Sequence, residues 1–93
     1  MRIVWDPKKA RANYLKHGVR FSDAEGALFD PSAISQEDEA ARGEERHISV
    51  GMGHLGRIVV IVYAYRGNDI RIISARRATR REREQYAKGI RFS

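Results

Sequence analysis

The chain has no cysteine and only two prolines. Without thiols there can be no disulfides, no thiolate metal ligands and no cysteine nucleophile. No run approaches the roughly 20 apolar residues that a membrane-spanning helix needs. The strand-like start Met1-Arg2-Ile3-Val4-Trp5 lacks the basic-then-apolar organisation of a secretory signal, so a cytoplasmic location and no membrane partner are expected. Metal ligation is also poorly supported: Glu37, Asp38 and Glu39 are consecutive in a loop, and no His/carboxylate pair has ligand spacing. The three glycines of Gly51-Met52-Gly53-His54-Leu55-Gly56 sit between two strands and do not lead into a helix, which excludes a nucleotide-binding loop. No metal and no cofactor are therefore expected. The 93 residues make one domain, 1–93, with a single modest core.

Charge is plentiful and segregated. The formal net charge is +6. Residues 1–22 carry six Lys/Arg against Asp6, a balance of +5, whereas residues 23–45 carry eight carboxylates against Arg42, a balance of −7. The last third holds Arg66, Arg71, Arg76, Arg77, Arg80, Arg81, Arg83, Lys88 and Arg91 against only Asp69, Glu82 and Glu84. Guanidinium forks match phosphate oxygens in a way that lysine does not. A basic surface of this kind favours a polyanion, either nucleic acid or an acidic protein. If the two basic ends met in space, they would form one positive face with an acidic rim.

Arg2–Trp5 alternates as a short strand, and Asp6-Pro7 marks a helix start that runs to Gly18. Ser22, with Glu25 three residues on, predicts a capped second helix ending at Asp30-Pro31. Ala33–Ser35 reads as an edge strand before a loop through Gly43. Three further strands follow at Arg46–Met52, Arg57–Tyr65 (the most apolar) and Ile70–Arg76. Thr79 caps a final helix that fades at Gly89, with Glu82 as capping-box partner. The expected architecture is α+β, with an antiparallel sheet of about four strands, two N-terminal helices and a C-terminal helix, all packed on one face.

Several stretches together resemble the BrnT family of toxins from bacterial type II toxin–antitoxin pairs. In the front half they are Trp5-Asp6, Lys9, Asn13, Lys16-His17-Gly18-Val19, Phe21, Ala24 and Phe29-Asp30. In the back half they are Glu45-Arg46, Gly51, the Val59–Tyr63 run, Arg71-Ile72-Ile73-Ser74-Ala75-Arg76, Ala78, Glu82-Arg83 and Tyr86. The resemblance implies a RelE-like fold and an endoribonuclease that halts translation, on or off the ribosome. It also implies a BrnA-type antitoxin as partner, with operator DNA bound only by the toxin–antitoxin complex. The alternative from another class is a non-catalytic basic module holding an acidic protein or DNA.

Metal-free RNA cleavage uses the ribose 2′-OH as nucleophile, so the protein must move protons and stabilise charge on the phosphorane. Arg71 and Arg76 suit phosphate clamping, but on a regular strand they project to opposite faces, so a bulge or strand end must intervene. Arg46 is the third cation. His17 and Lys16, at a helix C-terminus, are candidates for acid–base work, with carbonyl capping and a surface role as alternatives. Glu45 is either a base or a salt-bridge partner of Arg46. Arg77, Arg80, Arg81 and Arg83 are expected to contact RNA. Tyr63 and Tyr86 either stack on bases or pack in the core.

Overall fold

A computed structural model of the chain describes residues 1–38 and 43–89; the centre of the acidic loop and the expectations for residues 90–93 lie outside them. In chain order the elements are β1 (Ile3–Val4), α1 (Pro7–His17), α2 (Phe21–Ala24) and a 3-10 turn (Glu25–Leu28), then β2 (Ile34–Glu37), β3 (His47–Met52), β4 (Ile58–Arg66), β5 (Asp69–Arg77) and α3 (Arg80–Lys88). The strands form one sheet in the order β1-β5-β4-β3-β2. The sheet is thus five-stranded and mixed, not four-stranded and antiparallel: β1 runs parallel to β5, pairing Ile3 with Ile70. The other neighbours are antiparallel, and the apolar β4 is central as expected.

Local signals fix the two long helices. Asp6 accepts the Lys8 amide proton at 2.9 Å with Pro7 in the first turn, and α1 ends where Gly18 turns left-handed at φ +69°. Thr79 and Glu82 form the expected capping box of α3. The second helix departs from expectation. It starts at Phe21, one residue before the predicted Ser22 cap, and no side chain caps it. Phe21 is fully buried against the edge of Trp5, so apolar burial outweighs the cap.

Two cores flank the sheet. Val19, Phe21, Ala24 and Ala27 pack over Val59, Ile61, Tyr63, Ile70, Ile72 and Ala75 on one face. On the other, Val50, Val60 and Ala78 pack with Ile48, Ile58 and Tyr86 of α3. The helices therefore cover both faces and not one: α1 and α2 lie on the first, α3 on the second. Ala78 marks the crossing: its amide bonds the Ile58 carbonyl at the start of β4, and its side chain packs in the second core. The two basic ends consequently do not merge into one positive surface.

The glycine-rich β3–β4 connection has a structural role. Buried Asp23 accepts from the Leu55 amide at 2.6 Å and from Arg57 at 3.1 Å, pinning the loop against α2. The approach requires glycine, since a Cβ on Gly53 would sit 2.9 Å from the Asp23 carbonyl oxygen.

Asn13 is the polar tie between α1 and the sheet. Its amide donates to the carbonyls of Val19 (3.1 Å) and Ala75 (2.8 Å), and its oxygen accepts the Ala75 amide proton at 3.1 Å. Asn13→Ala would leave three backbone groups buried without partners. The expected cost is about 2–4 kcal/mol of unfolding free energy, read from urea denaturation. A loss below about 0.5 kcal/mol would show that these bonds do not hold the helix.

Candidate functional site

The second face of the sheet, beside α3, gathers the arginines of the central strands. A regular β5 would put Arg71 and Arg76 on opposite sides. The β4–β5 register instead slips between Val62 and Tyr63: Ser74 opposes Val62 while Ile72 opposes Tyr63, leaving Ile73 as an extra residue. This bulge inverts the alternation. Ile70, Ile72 and Ala75 face the α1/α2 core, and Arg71, Ser74 and Arg76 share the other face. Opposed residues lie on the same side of a sheet, so Val60, Val62 and Ala64 of β4 and Ile48 of β3 floor the space between them. The four-residue offset along β4 separates the two arginine positions by about 13 Å.

Each position is preorganised by a carboxylate. Arg76 makes a bidentate pair with Glu82, Nη1 to Oε1 at 2.8 Å and Nη2 to Oε2 at 2.9 Å. The same Oε1 accepts the Thr79 amide proton, so Glu82 both caps α3 and orients the guanidinium. Its carboxyl is held down to about 2, chiefly by the Arg76 hydrogen bond and then by Thr79. At the other position Arg71 donates to Glu44 at 2.7 Å, and Arg46 Nε approaches the same oxygen at 3.6 Å. The hydrogen bond from Arg71 is the main cause holding Glu44 below the usual carboxylate range. One carboxylate oxygen thus already occupies the place between two guanidiniums that a phosphate oxygen would take.

Arg46, Arg71 and Arg76 are therefore brought to one face. Lys16 and His17 are not: they end α1, whose packing is on the opposite layer, and neither side chain makes a hydrogen bond or ion pair among the described residues. Glu45 is exposed and the carboxylate beside Arg46 is Glu44, the neighbouring residue. Tyr63 is buried on the helix-covered face, its hydroxyl 3.0 Å from Ser49 Oγ and its ring stacked on His47. Tyr86 packs under α3 and donates to Asp30 Oδ2, which pushes the phenol up to about 12. Both tyrosines are packed aromatics. Arg77 is exposed and by register points to the α1 side. Arg80 pairs with Glu84, Arg83 donates to the Ala78 carbonyl, and Arg81 is exposed without a partner among the described residues.

Sequence reasoning assigned no site role to Glu44 or Glu82. Thr79-x-x-Glu82 announces a cap, but nothing in it announces the second use on Arg76.

Comparison with known proteins agrees with this architecture. The profile of the family described as "Ribonuclease toxin, BrnT, of type II toxin-antitoxin system" matches residues 5–82. The crystal structure of the Brucella abortus ribonuclease toxin BrnT superposes with a TM-score of 0.68 at 29% identity, covering 86% of this chain and 99% of that one. A search of curated proteins returns no match.

The Glu82 ion pair has a signed pH consequence. Its carboxyl titrates at about 2 in the fold against an ordinary 4.5, so its stabilisation is complete above pH 4.5 and lost as pH falls towards 2. Glu82→Gln is expected to be less stable than wild type at neutral pH and to lose less on acidification, measured by thermal melting across that range. Parallel melting curves would mean that the pair contributes nothing.

Proposed function

Because the chain belongs to the BrnT family of ribonuclease toxins of type II toxin–antitoxin systems, we propose that it cleaves RNA on the bulged face of its sheet without a metal ion. The observation that carries this is the shared face of Arg46, Arg71 and Arg76. The substrate's 2′-hydroxyl attacks the adjacent phosphorus and gives its proton to solvent water, the P–O5′ bond breaks, and the departing 5′-oxygen takes a proton from water. Charge accumulates on the phosphorane oxygens, where fixed guanidiniums are most effective because they need no reorganisation during the step.

The three histidines lie elsewhere. His17 closes α1, His47 stacks on Tyr63 over the other face, and His54 sits in the β3–β4 turn near Glu25. Imidazole acid–base chemistry therefore has no place in this reading, and catalysis rests on orientation and electrostatics. Glu82 holds Arg76 by the outer pair of nitrogens, which leaves the Nε/Nη2 edge to face a phosphodiester. The phosphate at the other position displaces the Glu44 carboxylate, so Arg71 exchanges one anion for another and is never left unpaired. An antitoxin of the BrnA type would neutralise the toxin by covering this face, and the pair would bind operator DNA. The site of action is the cytoplasm, where messenger RNA is translated.

Expression in bacteria without antitoxin is expected to arrest growth, and Arg71→Ala and Arg76→Ala each to relieve the arrest. Purified protein is expected to cut RNA in excess chelator and leave 2′,3′-cyclic phosphate ends, with each substitution lowering the rate by about 10²–10³-fold. Cleavage abolished by chelator, or arrest untouched by either substitution, would overturn the assignment. Intact RNA that still binds would favour a non-catalytic module.

A further inference from the structure

Cations without carboxylate partners occur on both layers of the molecule. Among the described residues, Arg66, Arg77, Arg81, Arg83 and Lys88 make no ion pair and are spread over β4, β5 and α3, whereas Lys8, Lys9, Arg11 and Lys16 of α1 and Arg20 just beyond it, also without ion pairs, gather on and beside one helix. That helix lies on the opposite layer of the molecule from Arg71 and Arg76.

A cleft of about 270 Å³ opens beside them where α1 meets α2, lined by Trp5, Arg11, Tyr14, Arg20, Phe21 and Ser22. The Arg20 guanidinium lies over the Tyr14 ring at 4.3 Å from its centroid, and the edge of Trp5 meets Phe21 at 6.0 Å. Arg11 and Tyr14 are three residues apart and share one flank of the helix, with Lys8 a further turn back. Tyr14 is 40% exposed, so its ring is accessible from solvent.

We propose that this cleft is a second RNA-binding site, in which one unstacked base packs against exposed Tyr14 and the Arg20 guanidinium beside Trp5, and the flanking phosphates are met by Arg11 and Lys8 with the outer edge of Arg20. The inference rests on RNA being the substrate but does not use the cleavage chemistry. Unpaired cations beside aromatic surface are the combination that holds single strands, by charge along the backbone and stacking on the base. The stacked guanidinium extends that surface, since bases stack on arginine planes as well as on rings. The lining is rings and a guanidinium, which suits a flat heterocycle better than the aliphatic anchor of a protein partner.

The test is fluorescence anisotropy with a labelled 2′-O-methyl oligonucleotide, which lacks the attacking hydroxyl and stays intact. Arg11→Ala/Arg20→Ala is expected to weaken binding about ten-fold or more. It should also flatten the log–log salt dependence by about 1.4, as expected for two lost phosphate contacts on a single strand. Tyr14→Ala is expected to weaken binding without changing the salt slope. All these positions are at the surface, and unchanged melting temperatures verify folding. Affinity and slope unchanged by the substitutions would overturn the proposal. So would unchanged RNA affinity with weakened capture of the purified protein antitoxin, which would assign the cleft to that partner. If wild type binds through α1 but does not cut natural RNA, the cleavage reading fails and this site stands.

Discussion

One extra residue in β5 reconciles two demands that a regular strand cannot meet. Ile70, Ile72 and Ala75 must face the core built by α1 and α2, and Arg71 and Arg76 must face away from it. With strict alternation Arg76 would follow Ile70 and Ile72 inward. A guanidinium beneath the helices would lose its hydration without a partner, at several kcal/mol. The slip at Ile73 changes the parity once, so that both sets of side chains are placed correctly on one strand. Core and site are thus two consequences of a single irregularity.

That irregularity also marks how far the sequence could be read. Elements with local punctuation were legible to within a residue or two: Asp6-Pro7 and Gly18 bound α1, and Thr79, Glu82 and Gly89 bound α3. Features that depend on distant pairing were not. The two residues of β1 are held by a strand 67 positions away, and which face α3 covers is decided by Ala78 bonding to β4 and by Tyr86 reaching Asp30. No glycine or proline announces the bulge, because Ile73 occupies it. Arg71 and Arg76 could be named as a clamp from sequence, but their common face follows only from the register. Similarly, Glu44 and Glu45 are equivalent in a composition, and the approach to Arg46 and Arg71 selects the first.

The paired and unpaired cations do different work. Arg71 is only 19% exposed in its side chain, so it carries a counter-ion at all times and contributes a fixed position more than a long-range field. Exchanging Glu44 for a phosphate keeps that charge compensated, and the net change in solvation is small. The unpaired side chains of α1, together with exposed Arg77, Arg81 and Lys88, project their charge into solvent, which raises encounter rates with a polyanion and is weakened by salt over a Debye length of about 8 Å at physiological strength. In the proposed reading, capture and chemistry are divided between opposite layers of the same sheet. The acidic middle of the chain is no mere rim, since it supplies the carboxylate that preorganises one end of the site.

Helix α3 ties the arginine face to the rest of the fold. None of its residues is fully buried, so apolar packing holds it only through half-buried Tyr86. Its position depends on polar contacts at its two ends. At the start, Glu82 satisfies the cap and grips Arg76 with the same carboxylate. Towards the other end, Tyr86 donates to Asp30, which also accepts from the Met52 amide at the tip of β3 and from the Ser32 amide. Burial opposes ionisation of Asp30, yet these bonds outweigh it and keep its carboxyl below the ordinary range. A helix held in this way can fray without opening the core. Fraying from its first turn would release Arg76 from Glu82 while leaving β5 intact. The geometry of the arginine face is consequently set by the stability of α3, and a substitution remote from any phosphate, at Asp30 or Tyr86, acts on the site through the helix that Arg76 leans on.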